Sequence, residues 1–273
     1  MSEIGFGTWS WGNQLLWGYS PNDYDQFLKE AFNAAIESGL NFIDTADSYG
    51  TGNLNGRSET LLGKYIHALP KHKKKSITIA TKLAPFPWRI GRKGFYKAFF
   101  ASKERLQNKI DRVQLHWSTS RYAPWQEAQL IDGLCDLYEK GLFSEIGVSN
   151  MGPLRLKWVH KRLQERGIPL KSVQIQFSLL SPEPNKSSEI QNVCKELNIE
   201  FLAYSPLALG ILAIPPTQKI KPKTLLRRSI FNRLIPSTKE LREGLHNIAR
   251  NNNASQVQVA LNWCRSHGTK PIP

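Results

Sequence analysis

The stretch NFIDTADSYG (residues 41–50) predicts a strand that ends at Asp44 and a following loop that carries Tyr49. Two further strand-like runs bring similar chemistry: ITIATK closes at Lys82, and VQLHW carries His116. A carboxylate, a phenol, an amine and an imidazole at successive strand ends are the groups that a proton-transfer site needs. We therefore expect these four residues to meet at one edge of a sheet.

A repeating strand–helix rhythm extends outward from this stretch in both directions. Helical patterns separate eight strand-like runs, near residues 4–9, 41–46, 76–82, 112–117, 145–150, 172–178, 200–205 and 270–273. Eight such units in roughly 250 residues are typical of an α/β fold of the (β/α)8 TIM-barrel class. We expect a single (β/α)8 domain over residues 1–273, truncated at both ends, with the final helix and C-terminal loop absent.

The alternation of side chains within the strands supports a barrel over an open sheet. Apolar and polar residues alternate in ITIATK, VQLHW and VQIQF, whereas an open parallel sheet buried on both faces is continuously apolar. This parity turns Asp44, Lys82, His116 and Gln176 inward near the C-terminal mouth, where barrel enzymes hold their chemistry.

Local signals place several helix boundaries. An i, i+3, i+4 pattern predicts an amphipathic helix through Tyr24, Phe27, Leu28, Ala31 and Ala35, with Ser20, Pro21 and Asp23 at its start. Ser255 and Gln258 have the spacing of a capping box, and Pro153 suits the first turn of the helix after GVSN.

Composition narrows the class of protein. Hydrophobic residues make up 40% of the 273 and charged residues 22%, which is typical of a soluble globular protein. No apolar run approaches the roughly 18 residues that cross a bilayer, and MSEIGFGTWSW shows no signal peptide. Cys135, Cys194 and Cys264 have no CxxC spacing, so we expect buried thiols in a reducing compartment and no metal site.

The net charge of +15 invites a nucleic-acid interpretation, which the motifs do not favour. Much of the charge lies in KHKKK (71–75) and KIKPKTLLRR (219–228), and neither run is interleaved with a stacking motif. We interpret them as a solvated turn and a loop that faces an anion. We expect a small aldehyde as the binding partner, and neither nucleic acid nor a membrane. We expect the protein to be a monomer or a weak homo-oligomer.

The four strand-end residues predict a reaction. An ammonium inside a barrel needs a counter-ion, which Asp44 supplies to Lys82. The same charge near Tyr49 should lower the phenol pKa from about 10, so that Tyr49 can protonate a carbonyl oxygen that His116 orients. No Ser or Cys stands near a base, so a hydride from a nicotinamide cofactor is the simplest nucleophile. GTGNLNG (50–56) lacks the GxGxxG spacing of a Rossmann fold, and we expect a mobile loop there.

The chain resembles the aldo-keto reductase family. The resemblance lies in the four residues above and in segments that occur in the same order as in the family: GFGTWSWG, RSETLLGK, IGVSN, QIQFSLL and AYSPLALG. The resemblance implies a barrel that reduces carbonyls with NADPH, with Tyr49 as proton donor and Asp44, Lys82 and His116 at the other catalytic positions. It further implies that Ser149, Asn150 and Gln176 bind the nicotinamide carboxamide and that Tyr204 stacks on its ring. Ser205 and Leu207 resemble the pyrophosphate-binding loop.

Longer segments narrow the subgroup. WGNQLLWGY (11–19), DTADSYGTGNLNGRSE (44–59) and QLHWSTSRYAPWQE (114–127) are similar to plant, chloroplast-type pyridoxal reductases. This similarity implies an NADPH-dependent pyridoxal reductase of vitamin B6 metabolism, in the chloroplast or alternatively the cytoplasm. A pocket for an aromatic aldehyde would use Trp9, Trp17, Trp88 and Trp117.

Alternatives remain open at this point. The chain could reduce other aromatic or reactive aldehydes, or serve as a non-catalytic nicotinamide-sensing subunit resembling channel β-subunits. The preference for NADP over NAD comes from the resemblance alone, since the residues that hold the 2′-phosphate are not in the chain. Residues 214–236 depart from the family loop and either fold over the cofactor phosphates or form a disordered lid.

Overall fold

The computed structural model describes residues 3–182 and 187–273. Their strands form one eight-stranded sheet in which each strand pairs in parallel with the next along the chain. The strands are β1 Phe6–Gly7, β2 Phe42–Asp44, β3 Thr78–Leu83, β4 Arg112–Leu115, β5 Glu145–Ser149, β6 Leu170–Gln176, β7 Glu200–Tyr204 and β8 Lys270–Ile272. Each of the eight predicted runs overlaps one of them, although β3 ends at Leu83, beyond its predicted run, and β6 begins at Leu170, before its predicted run.

Two backbone hydrogen bonds join the first strand to the last and close the sheet into a barrel. The Gly5 amide donates to the Pro271 carbonyl at 2.9 Å, and the Gly7 amide donates to the Pro273 carbonyl at 3.0 Å. A side chain at Gly7 would interfere, because an added Cβ would lie 2.9 Å from the Pro273 carbonyl oxygen. The predicted (β/α)8 TIM-barrel class is confirmed.

Helices surround the strands and fill the connections between them. They are α1 Gln14–Trp17, α2 Pro21–Glu37, α3 Arg57–His67, α4 Lys71–Ser76, α5 Tyr96–Arg105, α6 Pro124–Glu139, α7 Pro153–Gln164, α8 Ser187–Glu196, α9 Leu225–Ser237, α10 Lys239–Asn251 and α11 Gln256–Ser266. The KHKKK run is a short helix, α4, rather than the turn we predicted. In the described part of the chain, no helix is long and apolar enough to cross a membrane.

Helix α2 confirms the predicted helix through Tyr24 and Ala35, but its buried stripe differs from the predicted one. Its buried residues are Leu28, Phe32 and Ile36, four positions apart, whereas Phe27 is 63% exposed. The apolar stripe therefore follows the i, i+4, i+8 row, and the predicted stripe drifts off the buried face at Phe27. Ser20 precedes the helix without a side-chain capping bond, although Pro21 occupies the first turn as predicted.

Other local predictions are confirmed. The Ser255 hydroxyl accepts from the Gln258 amide at 3.2 Å while the Gln258 side chain accepts from the Ser255 amide at 2.7 Å. These two bonds form the predicted capping box at the start of α11. Pro153 begins α7.

The barrel interior is charged at the end where the strands begin. Arg112 is fully buried and pairs with Glu145 at 2.7 Å and with Glu200 at 2.8 Å. Arg112, Gln114 and His116 are alternate residues along β4 and its continuation, so their side chains point to the same, inward side. This layer supports the barrel from below, and the carboxyl ends of the strands hold the remaining polar residues.

Candidate active site

The four predicted residues come together at the carboxyl ends of neighbouring strands. Asp44 ends β2 and Lys82 lies near the end of β3. The Lys82 ammonium donates to Asp44 Oδ2 at 2.5 Å, to the Tyr49 hydroxyl at 2.9 Å and to the Thr45 carbonyl at 3.0 Å. One cation thus connects the carboxylate to the phenol, as the sequence predicted.

The Asp44 carboxylate is held in place by two amides. Gln174 and Gln114 both donate to Asp44 Oδ1, at 2.8 Å and 3.1 Å. Gly147 leaves the space for Gln114, because an added Cβ there would lie 2.9 Å from Gln114 Cγ. Both carboxylate oxygens therefore have fixed partners in a buried position, which satisfies the charge and orients it toward Lys82.

The protonation states follow from burial and from these contacts. Burial alone would lower the pKa of Lys82, but Asp44 and Tyr49 outweigh it and raise that pKa, so the ammonium stays charged. Burial raises the pKa of the Tyr49 hydroxyl above its ordinary 10.0, and the nearby Lys82 charge offsets only part of this rise. The expected net lowering of the Tyr49 pKa was therefore wrong for the protein alone, because desolvation is the larger effect.

His116 lies one residue beyond β4, beside Tyr49. The two ring centroids are 5.8 Å apart in an edge-to-face arrangement, and His116 Nδ1 is 3.3 Å from the Ser48 hydroxyl. Burial, aided by the positive charges of Lys82 and Arg89, holds the pKa of His116 well below 6.5. The imidazole is neutral at pH 7, so it can donate a hydrogen bond without contributing a charge.

A cavity of about 350 Å³ opens directly above this group. Tyr49, His116 and Asp44 form part of its wall. Seven predicted cofactor and substrate residues also line it: Ser149, Asn150, Tyr204, Ser205, Leu207, Trp9 and Trp17. Its volume is within the range of small-molecule sites.

Three predicted residues lie elsewhere. Gln176 is exposed at the end of β6 and, with Trp117, lines a neighbouring cavity of about 610 Å³. Trp117 flanks His116 with ring centroids 5.0 Å apart, and its indole donates to the Tyr122 hydroxyl. Trp88 is 72% exposed and stacks on Phe86, so its ring is on the outer rim.

Gln176, which was predicted to bind the carboxamide, does not line the cavity over Tyr49, whereas Gln174 does. Gln174, two residues earlier on the same face of β6, lines the cavity over Tyr49 and bonds Asp44. The alternation of side chains along β6 predicts that both glutamines point inward. They differ only in their depth in the barrel, which depends on where β6 ends. Gln114 was missed as well, although its place between Val113 and Leu115 gives it the same inward parity.

One wall of the cavity is polar. Tyr204 donates its hydroxyl to Asn150 Oδ1 at 2.8 Å, and Asn150 Nδ2 donates to the His116 carbonyl at 3.1 Å. Asn150 has a φ of +56°, the left-handed conformation that asparagine tolerates best after glycine. This backbone turn brings its side chain over the mouth, beside Ser149.

The donor set fits a nicotinamide dinucleotide. Ser149, Asn150 and Gln174 offer the donors and acceptors that a carboxamide requires, and the Tyr204 ring gives a flat wall beside them. After β7 the backbone has positive φ at Ser205, Ala208, Leu209 and Gly210. Successive residues in such conformations can turn amide groups toward one anion, as a diphosphate requires. In the described residues, no cluster of His, Cys, Asp and Glu could hold a metal ion.

Comparisons with known proteins find a matching family model and similar curated sequences. The family model for the aldo/keto reductase family matches residues 3–273. The chloroplastic pyridoxal reductase of Arabidopsis thaliana is 49% identical over 278 residues, which cover 100% of this chain and 75% of that protein.

Two solved structures share the architecture. A glycerol dehydrogenase of Gluconobacter oxydans superimposes with a TM-score of 0.75 at 22% identity, over 100% of this chain and 82% of the other. A thermostable aldo-keto reductase in complex with the inhibitor epalrestat gives a TM-score of 0.72, also at 22% identity, over 100% and 84%. At this identity the likeness concerns the fold alone.

Proposed function

The chain belongs to the aldo/keto reductase family, and from that premise we propose that it is an NADPH-dependent reductase that converts pyridoxal to pyridoxine. The observation that carries the proposal is the position of Lys82 Nζ, 2.9 Å from the Tyr49 hydroxyl and 2.5 Å from Asp44. This contact fixes a phenol, a cation and a carboxylate at the floor of a cavity.

Tyr49 is the proton donor in this proposal. Its raised pKa keeps the phenol protonated in the resting protein, so a proton is available at pH 7. A carbonyl oxygen placed over Tyr49 Oη would take that proton, and the adjacent Lys82 charge would stabilise the phenolate left behind. Asp44 keeps Lys82 charged and in position.

His116 orients the substrate. As a neutral imidazole beside Tyr49, it can donate a hydrogen bond to the same carbonyl oxygen and direct that oxygen toward the phenol. A bound nicotinamide would supply the hydride that the carbonyl carbon requires. Ser149, Asn150 and Gln174 would hold its carboxamide, with Tyr204 against the ring.

The substrate proposal draws on the relative and on the walls of the cavity. Trp9 and Trp17 pack edge to face, with ring centroids 6.2 Å apart, above the floor formed by Tyr49 and His116. Such walls suit an aromatic aldehyde, and the relative that is 49% identical is named for its action on pyridoxal. By the same likeness we propose a plastid location, with the cytoplasm as alternative, and a small-molecule partner.

The test is an activity assay of the purified protein with a panel of aldehydes, in which the loss of NADPH absorbance measures turnover. We expect kcat/KM to be highest for pyridoxal and higher with NADPH than with NADH. A higher kcat/KM for another aromatic aldehyde would reject the substrate and keep the reductase. No turnover of any aldehyde by a folded protein that binds NADPH would reject the activity.

A further inference from the structure

Ser48 lies in the loop that follows β2, between Asp47 and Tyr49. Asp47 is buried and ties this loop to β3 and the residues after it. Its amide donates to the Lys82 carbonyl at 3.0 Å, and its carboxylate accepts from the Ala84 amide at 3.2 Å. The backbone beside Ser48 is therefore anchored on one side, and the fold sets the direction in which the half-buried serine side chain extends.

The Ser48 hydroxyl has a single protein partner, which is the imidazole of His116. Its Oγ lies 3.3 Å from His116 Nδ1, and across residues 3–182 and 187–273 it makes no other hydrogen bond. A hydroxyl carries one proton that it can donate, and a neutral imidazole carries one nitrogen that accepts. Because Nδ1 is the acceptor that the described protein offers to this proton, the arrangement that satisfies Ser48 has the hydroxyl donating and Nδ1 accepting.

The second ring nitrogen of His116 is left for the substrate. No group in the described part of the chain forms a hydrogen bond with Nε2, and His116 lines the cavity beside Tyr49. A neutral imidazole holds its one proton on either Nδ1 or Nε2. With the proton on Nε2, the ring can donate to a carbonyl oxygen in the cavity. With the proton on Nδ1, it would turn a lone pair toward that oxygen.

The charges around His116 make this choice of tautomer decisive. Burial first, and then the positive charges of Lys82 and Arg89, hold the pKa of His116 well below 6.5. Arg89 is itself fixed by its ion pair with Asp47, in which the charged atoms are 2.5 Å apart. The imidazolium, which would donate from both nitrogens, is thus disfavoured at pH 7. In the neutral ring, the hydrogen bond made by one nitrogen governs whether the other carries the proton.

We propose that Ser48 is a positioning residue for aldehyde reduction: its hydroxyl donates to His116 Nδ1 and so keeps the imidazole proton on Nε2, where it meets the substrate carbonyl oxygen. The use of that proton in the reaction rests on the proposed function. The tautomer itself is a property of the resting protein and can be measured without turnover. Ser48 stands next to Tyr49 in the chain, so one loop carries the proton donor and also orients the residue that directs the carbonyl toward it.

Nitrogen-15 NMR of the resting protein tests the tautomer, because protonated and unprotonated ring nitrogens resonate at well-separated frequencies. His116→Gln removes one pair of signals and so identifies them among the six histidines. We expect Nε2 to be the protonated nitrogen in the wild-type protein. In Ser48→Ala, the Nδ1 signal should move to that of a nitrogen without a donor, and the two shifts should approach each other as the second tautomer gains population. Ser48→Thr, which keeps the hydroxyl, should retain the wild-type shifts.

Steady-state kinetics test the consequence for the reaction. Ser48→Ala removes one neutral hydrogen bond, so kcat and kcat/KM for pyridoxal should both fall by roughly 3- to 10-fold. The dissociation constant for NADPH should stay the same, and Ser48→Thr should recover most of the loss.

A double-mutant cycle with His116→Gln separates this role from packing. If Ser48 acts through His116, Ser48→Ala should cost nothing further in the His116→Gln protein. Circular dichroism checks that all the variants are folded.

The proposal is overturned if the resting protein carries the His116 proton on Nδ1, or if Ser48→Ala leaves the ring-nitrogen shifts unchanged. Equal kinetic losses from Ser48→Ala in the wild-type and His116→Gln proteins would also overturn it, because Ser48 would then act by packing or by touching the substrate. A protein that shows the expected shifts but reduces no aldehyde would contradict the proposed function and leave the control of the tautomer by Ser48 standing.

Discussion

Asp44 and Lys82 carry opposite charges inside the barrel, where either charge alone would be costly. Their side chains are 5% and 1% exposed, and the ions are 2.5 Å apart. Two glutamine amides and a backbone carbonyl complete their hydrogen bonding. Such a pair adds little to stability over an apolar pair of equal size, so its value lies in holding a cation beside Tyr49.

Lys82→Met and Asp44→Asn, made singly and together, should separate the effect of the ion pair on stability from its effect on catalysis. The lysine variant leaves a buried carboxylate unpaired and should lower the free energy of unfolding by about 3–5 kcal/mol. The double variant buries no charge, so it should lose much less than the sum of the two single losses, while aldehyde reduction stays absent. Urea unfolding and steady-state assays measure both; additive losses of stability would contradict this account of the pair.

His116 should make stability depend on pH on the acid side. Its folded pKa lies well below 6.5 because of burial, so between that pKa and 6.5 the unfolded chain binds a proton that the folded protein does not. The free energy of unfolding should therefore fall as pH decreases below 6.5. In His116→Gln, which cannot be protonated, urea unfolding at pH 5 and 7 should show a smaller decrease. Parallel curves for the two proteins would rule the mechanism out.

At the scale of elements, two helix starts that look alike in sequence differ in their capping hydrogen bonds. Ser255 and Ser20 both precede a helix, but only Ser255 makes a capping box. The difference arises because Gln258 returns a bond to the Ser255 backbone, whereas the residue three positions after Ser20 is Asp23, for which no such bond exists in the described structure.

Ser255→Ala should lower the free energy of unfolding by about 1 kcal/mol, since the N-terminal amide of α11 loses its acceptor. Ser20→Ala is the matched control and should change stability much less. Thermal or chemical denaturation of the two variants measures the contrast. Equal losses would show that the capping box contributes nothing beyond the intrinsic preference of serine at a helix start.

The sequence predicted elements better than it predicted depth or energy. Strand parity correctly turned Asp44, Lys82 and His116 toward one mouth, because a period of two survives any error in strand ends. It could not choose between Gln174 and Gln176, which share that parity and differ in depth. The direction of the Tyr49 pKa shift could not be predicted from strand alternation either, since the extent of burial depends on residues distant in the chain.

The tryptophans show the same limit. Trp9 and Trp17 line the cavity, while Trp88 lies on the outer rim. Loops place these rings, and no periodicity governs a loop. The basic run near residue 220 was expected to face an anion, but only the folded chain revealed that Arg227 stacks on Trp17.

At the scale of the whole molecule, closure of the barrel depends on a close contact between its first and last strands. Gly7 lies against Ile272 and Pro273 and also lines the cavity, so this contact shapes the site as well as the fold. A larger residue would separate the strands or displace the cavity wall.

Gly7→Ala should therefore lower the free energy of unfolding by about 1–3 kcal/mol through overpacking. The same change at Gly244, an exposed position in α10 with no atom within 4 Å of an added Cβ, should be stabilising by about 0.5–1 kcal/mol. Urea denaturation compares the two variants. A stabilised Gly7→Ala protein would contradict the tight closure seen here.

The proposed reaction requires Tyr49 to give its proton to the substrate, and Tyr49→Phe tests this step by removing one oxygen atom. We expect kcat for pyridoxal reduction to fall by roughly 10²- to 10⁴-fold, with the dissociation constant for NADPH unchanged. Turnover close to that of the wild-type protein would contradict the role of Tyr49 and, with it, the reaction assigned to this site.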